Sequence, residues 1–249
     1  MSFVLLHGLG GDHKQPLSLS RPVLPPGATV HSPDVRAHGA STTVGTDFRL
    51  DTLAAELVPG LPAGPLTIIG ISMGAALALR LAVRGDLDIS RIVFIRPAFT
   101  DEPLPANLAS FPVIGSLLRS TRALPWAPAA RRAERAFART PAFRALAAES
   151  PLGAEGALEQ FRKPLAAQRA ARLIEIPRNA AYTAAELASL AVPATVIAAD
   201  RDPVHPIAIA EAWADGLGNA VLERVPARDE SLRGYIAASR AAIARGIDR

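Results

Sequence analysis

The chain has 249 residues, 49% hydrophobic and 20% charged. That balance fits one large globular core, or a core with a modest insertion, and excludes a disordered polypeptide. With no cysteine, neither a disulfide framework nor a thiolate metal site is available. Net charge is only +4, since 27 Lys and Arg are set against 23 Asp and Glu, and the basic residues, nearly all arginines, are scattered among the acidic ones. Aromatic and basic positions do not interleave, so nucleic acid is not the expected partner.

Phe3 to Leu6 reads as a short buried strand that ends at His7-Gly8-Leu9-Gly10-Gly11. No basic segment precedes it, so no signal peptide is expected. No apolar run approaches the ~20 residues of a membrane-spanning helix, and a cytoplasmic location is expected. Thr29 to Ser32 reads as the second strand, running into Pro33-Asp34. Phe48, Leu50, Leu53, Ala54 and Leu57 fall at helical spacing, and Pro59-Gly60 closes that helix. Leu66 to Ile71 is the third strand and Ala75 to Val83 the following helix, with Gly85 just past its end. Arg91 to Ile95 is the fourth strand and Ala194 to Ala198 the fifth. Pro206 leads a helix over Ile207 to Leu217. Ala220 to Val225 is the last strand, followed by a helix from about Ser231 to Ile247. Strands alternating with helices predict an α/β fold with a mainly parallel sheet of about six strands.

Residues 98–191 break this rhythm. The stretch lacks a convincing strand and is rich in Pro, Ala and Arg. Helices are expected at Ala129 to Arg139, at Pro141 to Ala148 behind Thr140, and at Glu155 to Leu173, interrupted by Pro164. A short one follows Thr183, where Glu186 completes a capping box. An insertion between the fourth and fifth strands lies at the carboxyl edge of the sheet, where ligands bind in such folds, so a lid is expected. Residues 1–97 and 192–249 would form the core.

Gly70-Ile71-Ser72-Met73-Gly74 joins the third strand to its helix. A serine hydroxyl is a poor nucleophile unless the backbone presents it to a base. A sharp strand-to-helix turn does this, and flanking glycines avoid collisions with neighbouring backbone. Together with three other motifs in the right order, this pentapeptide gives the chain a resemblance to the α/β-hydrolase fold over nearly its whole length. His7-Gly8-Leu9-Gly10 resembles the family's HG oxyanion loop. Pro33-Asp34-Val35-Arg36-Ala37-His38-Gly39-Ala40-Ser41 resembles its P-D-x-R-G-H-G-x-S stretch. Ala199-Asp200-Arg201-Asp202-Pro203-Val204-His205-Pro206 resembles its acid-bearing loop. The chain opens on the strand bearing the oxyanion loop, without the antiparallel strands that usually precede it.

The resemblance implies acyl transfer, with Ser72 as nucleophile, Asp202 as the acid, and the backbone N–H groups of Leu9 and Met73 as the oxyanion hole. His7 reads as a loop-holding residue, and Asp34, Arg36 and His38 as a structural turn. The family's histidine after the last strand is missing, because Val225-Pro226-Ala227-Arg228-Asp229-Glu230-Ser231 contains none. A general base is worth about 10²–10⁴-fold, so a replacement is needed. His205, three residues beyond Asp202, is one candidate. Asp229 or Glu230, with a pKa raised by burial, is another, and His13 a third. The reading is therefore a serine hydrolase of a small ester, lactone or related acyl substrate with a non-standard base. Its alternative is a non-hydrolytic member of the fold: a lyase, cyclase or isomerase using the oxyanion hole, or a catalytically dead small-molecule binder. Arginines in the insertion fit a substrate carboxylate as well as they fit salt bridges among its own helices. No cofactor or metal is implied, no membrane partner is expected, and no pattern in the chain sets an oligomeric state.

Overall fold

A computed structural model describes residues 1–121 and 126–249. Six strands form one sheet: β1 (Ser2–Leu6), β2 (Thr29–His31), β3 (Leu66–Ile71), β4 (Ile89–Ile95), β5 (Ala194–Ala199) and β6 (Ala220–Val225). Their order is β2-β1-β3-β4-β5-β6, and every pairing is parallel, as the sequence predicts. β3 and β5 are buried along their whole length, which explains their nearly continuous apolar sequences. Edge strands β2 and β6 carry exposed positions.

One face of the sheet is covered by α2 (Leu50–Leu57), α3 (Met73–Arg84) and α10 (Ile207–Gly216), with Phe94 and Trp213 packed edge-to-face in the core beneath them. The other face is covered by α1 (Lys14–Ser20) and α11 (Leu232–Asp248), around Phe3, Leu5, Ile69 and Ile243. From β1 the chain steps one way to β2, then works back through β3 to β6. The switch point therefore falls between β1 and β3, where ligands of open α/β sheets bind, beyond the carboxyl ends of the strands.

Between β4 and β5 lies the helical insertion: α4 (Ser110–Ser120), α5 (Trp126–Ala138), α6 (Pro141–Glu149), α7 (Pro151–Arg162), α8 (Ala171–Glu175) and α9 (Ala184–Ser189). It has its own apolar cluster, centred on Ile114, Leu118, Phe137 and Phe161, while Ile176, Tyr182 and Leu187 join the main core. Thr140 and Ser150 cap α6 and α7, and Thr183 with Glu186 forms the expected capping box. Several helices differ from the expectation, α7 and α4 most clearly. α7 starts four residues earlier, because Ser150 caps it and Pro151 supplies a preset first turn, and it ends before Pro164. α4 was hidden by Pro112 and Gly115, the first in its N-terminal turn and the second at a close approach. A Cβ on Gly115 would lie 2.6 Å from Ile174 Cγ1 and 2.9 Å from the Ala170 carbonyl oxygen.

Among the described residues no helix is long and apolar enough to cross a membrane.

Candidate active site

The G-x-S-x-G turn is built from close backbone contacts. A Cβ on Gly70 would lie 2.2 Å from the Gly74 carbonyl oxygen, and one on Gly74 2.2 Å from that of Leu6, so neither position admits a side chain. Ser72 itself adopts φ 54°, ψ −110°, an uncommon conformation for a residue with a side chain. It is pinned by its N–H, which donates to the Ile95 carbonyl at 2.9 Å, and by its carbonyl, which accepts from Ala75 N at 2.9 Å. The turn thus lifts the serine above the carboxyl edge of the sheet at the start of α3.

Ser72 lines a cavity of about 230 Å³, small for a ligand site. Its floor comes from loops at the carboxyl ends of the strands: Gly8 to Gly11 after β1, Arg96 after β4, Asp202 and His205 after β5, and Arg228 after β6. Its roof comes from the insertion, through Phe111 and Ile114 of α4 and Leu152, Ala157 and Gln160 of α7. Gln160 lies directly over Gly10, where a Cβ would come 2.1 Å from its Oε1. The Gly8 N–H is taken by Gln15 Oε1 at 2.7 Å. Among the described residues, no backbone acceptor engages the N–H of Leu9 or Met73.

Asp202 and His205 share one loop. His205 Nδ1 lies 2.9 Å from Asp202 Oδ2, and Asp202 Oδ1 accepts the backbone N–H groups of Val204 and His205 at 3.1 and 3.2 Å. Asp202 Oδ2 also accepts from Arg96 at 2.9 Å. Burial pushes the Asp202 carboxyl up, but His205 and Arg96 outweigh it and hold the group well below the usual carboxylate range. Burial lowers the His205 pKa below its ordinary 6.5, and Asp202 only partly opposes this. The imidazole is thus neutral at pH 7, with the Nδ1 proton directed at the carboxylate and Nε2 left as acceptor.

The structure therefore brings Ser72, Leu9, Asp202 and His205 to one cavity, with Met73 next to Ser72 as the first residue of α3, and puts Asp229, Glu230 and His13 elsewhere. Asp229 accepts from Ser150 Oγ at 2.5 Å and from Leu152 N at 2.7 Å, tying the loop after β6 to the start of α7. Glu230 is exposed and paired with Arg201 at 2.9 Å. His13 bonds to Asp34 through both its ring and its backbone N–H, and Asp34 also accepts from Ala40 N. His7 uses both ring nitrogens, one against the Gly8 carbonyl and one accepting from Val35 N. His38 packs against it in the core.

Arginines of the insertion are engaged away from the cavity: Arg162 with Glu134 and Glu155, and Arg169 and Arg172 with carbonyls of residues 37–41. The guanidinium groups on the cavity wall are Arg96 and Arg228, to which sequence reasoning gave no role. For Arg228 the one available signal was its place in the stretch where the family's histidine is usual. Arg96 gave none, as a lone arginine ending an apolar strand. Among the described residues, no group of three or more His, Asp or Glu side chains is placed to hold a metal ion.

Comparison with known proteins agrees with this fold. A pyrrolizixenacetamide deacetylase from Xenorhabdus hominickii is 28% identical over 123 residues, covering 48% of this chain and 46% of that protein. The chain thus spans about half the length of the curated relative it matches. Among solved structures, an α/β-hydrolase enzyme from a Medee basin deep-sea metagenome library superposes with a TM-score of 0.71 at 17% identity, over 97% of this chain and 88% of that one. A thermophilic esterase from Thermogutta terrifontis gives 0.67 at 18% identity, over 100% and 88%. The model of the alpha/beta hydrolase fold matches residues 2–231, and the chain belongs to that fold family.

Proposed function

We propose that the protein is a serine hydrolase of small acyl substrates, esters or lactones, in which His205 serves as the general base. The observation that carries this reading is the shared cavity of Ser72 and a neutral His205 whose Nδ1 side is held by an ionised Asp202. The Ser72 hydroxyl adds to the acyl carbonyl as His205 Nε2 takes its proton. The N–H groups of Leu9 and Met73 face the developing oxyanion. The imidazolium, stabilised by Asp202, then gives the proton to the departing alcohol, leaving an acyl-serine. Water activated by the same nitrogen releases the acid. The helices over the cavity act as a lid that limits substrate size. Asp229, Glu230 and His13 have no part in this scheme, since their side chains are paired with Ser150, Arg201 and Asp34.

Turnover of p-nitrophenyl acetate is the test. The wild type should hydrolyse it with a pre-steady-state burst, and Ser72→Ala should lose at least about 10³-fold in kcat/KM. A Ser72→Ala variant as active as the wild type would exclude the nucleophilic role and favour the non-hydrolytic reading.

A further inference from the structure

We infer that Arg96 and Arg228 form an anion subsite in the Ser72 cavity, selecting a small acyl substrate that carries a free carboxylate. The identity of the ligand as an ester rests on the hydrolase reading, whereas the anion subsite does not.

The two guanidinium groups lie against one ring, that of buried Tyr235, at 5.4 and 5.9 Å from its centroid. Like charges in such proximity repel unless an anion compensates them. Among the described residues, Asp202 pairs directly with Arg96, which shares it with His205, and no carboxylate pairs directly with Arg228. The Asp229 carboxylate acts on Arg228 through space, but its hydrogen bonds go to Ser150 and Leu152. Two carboxylates thus lie near the two guanidinium groups, but among the described residues neither is bonded to Arg228, whose charge borders the cavity without a direct ion pair.

Hydrogen-bond capacity tells the same story. Arg96 is only 7% exposed, lines the cavity, and its Nε has no partner. Arg228 is half-buried on the same wall, and among the described residues no side-chain hydrogen bond or ion pair engages its five donors. Desolvating a guanidinium without a partner is costly, so its retention beside Ser72 points to a partner that arrives with the ligand. A planar donor fork matches a carboxylate. The remaining wall, from Leu9, Phe111 and Ile114, suits the short apolar chain joining that carboxylate to the ester. Lys163 and Glu159 also border the cavity from the insertion and offset one another in charge.

Two measurements test this. The first compares kcat/KM for the p-nitrophenyl monoester of glutaric acid with that for p-nitrophenyl butyrate. The expected preference for the anionic ester is about tenfold or more; it should fall to about one in Arg228→Gln and survive in part in Arg228→Lys. The second is calorimetric binding of monomethyl glutarate to Ser72→Ala, which should weaken about tenfold or more when Arg228→Gln is added. Thermal melts show whether each variant is folded, and the lysine variant retains the charge if the glutamine one is not. Turnover of both esters without preference, and without glutarate binding, would overturn the subsite and leave the hydrolase reading standing. Arg228-dependent binding without turnover would do the reverse. Absence of both would overturn both.

Discussion

The loops after β5 and β6 reach the same cavity, yet they are built for different work. The β5 loop is self-contained: Asp202 accepts two backbone N–H groups of its own loop, holds the His205 ring, and is fixed from behind by Arg96. The β6 loop looks outward. Arg228 borders the cavity with no hydrogen bond or ion pair from its side chain among the described residues, Asp229 fastens α7, and Glu230 pairs with Arg201 at the surface. The lesson is that the histidine missing after β6 left no vacancy that a neighbouring carboxylate fills. An imidazole is present, but on the other loop, where the acid already sits.

Substitutions that separate the two loops test that contrast. The largest effect is expected at His205→Ala, which should lower kcat/KM for activated esters by about 10²–10⁴-fold, measured beside a melt to confirm folding. A smaller loss, of the size seen on mutating the β6 loop, would erase the distinction. Next comes pH. Because burial lowers the His205 pKa, the base stays neutral somewhat below pH 6.5, so the acid limb of kcat/KM should lie below that value. Stability should follow the same direction. His7, His38 and His205 are all held neutral by burial, so the unfolded chain takes up more protons than the folded one as pH falls below 6.5. Their contribution is fully present above that pH and is lost as pH falls through the lowered folded values. Thermal melts between pH 8 and 5 would record this as a falling Tm, and a Tm that rises on acidification would contradict it.

On the β6 side, Asp229→Ala removes the acceptor that holds Ser150 and the Leu152 N–H. It should cost about 1 kcal/mol in urea denaturation. The smallest effect belongs to Glu230→Gln, an exposed ion pair, whose kcat/KM should stay within about twofold of the wild type. A large loss there would return the base to the β6 loop.

Much of this was legible in the sequence, for identifiable reasons. Runs such as Leu66 to Ile71 and Ala194 to Ala199 are apolar on both faces because both faces of those strands are covered. Gly70 and Gly74 read directly as sites without room for a side chain. The pairing of Asp202 with His205 was accessible because both lie three residues apart on one loop. What stayed hidden depends on contacts distant in the chain. α1 carries Pro16 and has only seven residues, and α4 contains two helix breakers, Pro112 tolerated in its first turn and Gly115 where α8 packs closely. The pairing of Arg96 with Arg228 is set by Tyr235 of α11 and by convergence of the loops after β4 and β6, which no local pattern records.

The central claim, that His205 activates Ser72, is tested most directly by intact-mass labelling with a fluorophosphonate probe. The wild type should gain a single adduct that is absent in Ser72→Ala and forms at least about 100-fold more slowly in folded His205→Ala. Labelling of His205→Ala at the wild-type rate would contradict the account.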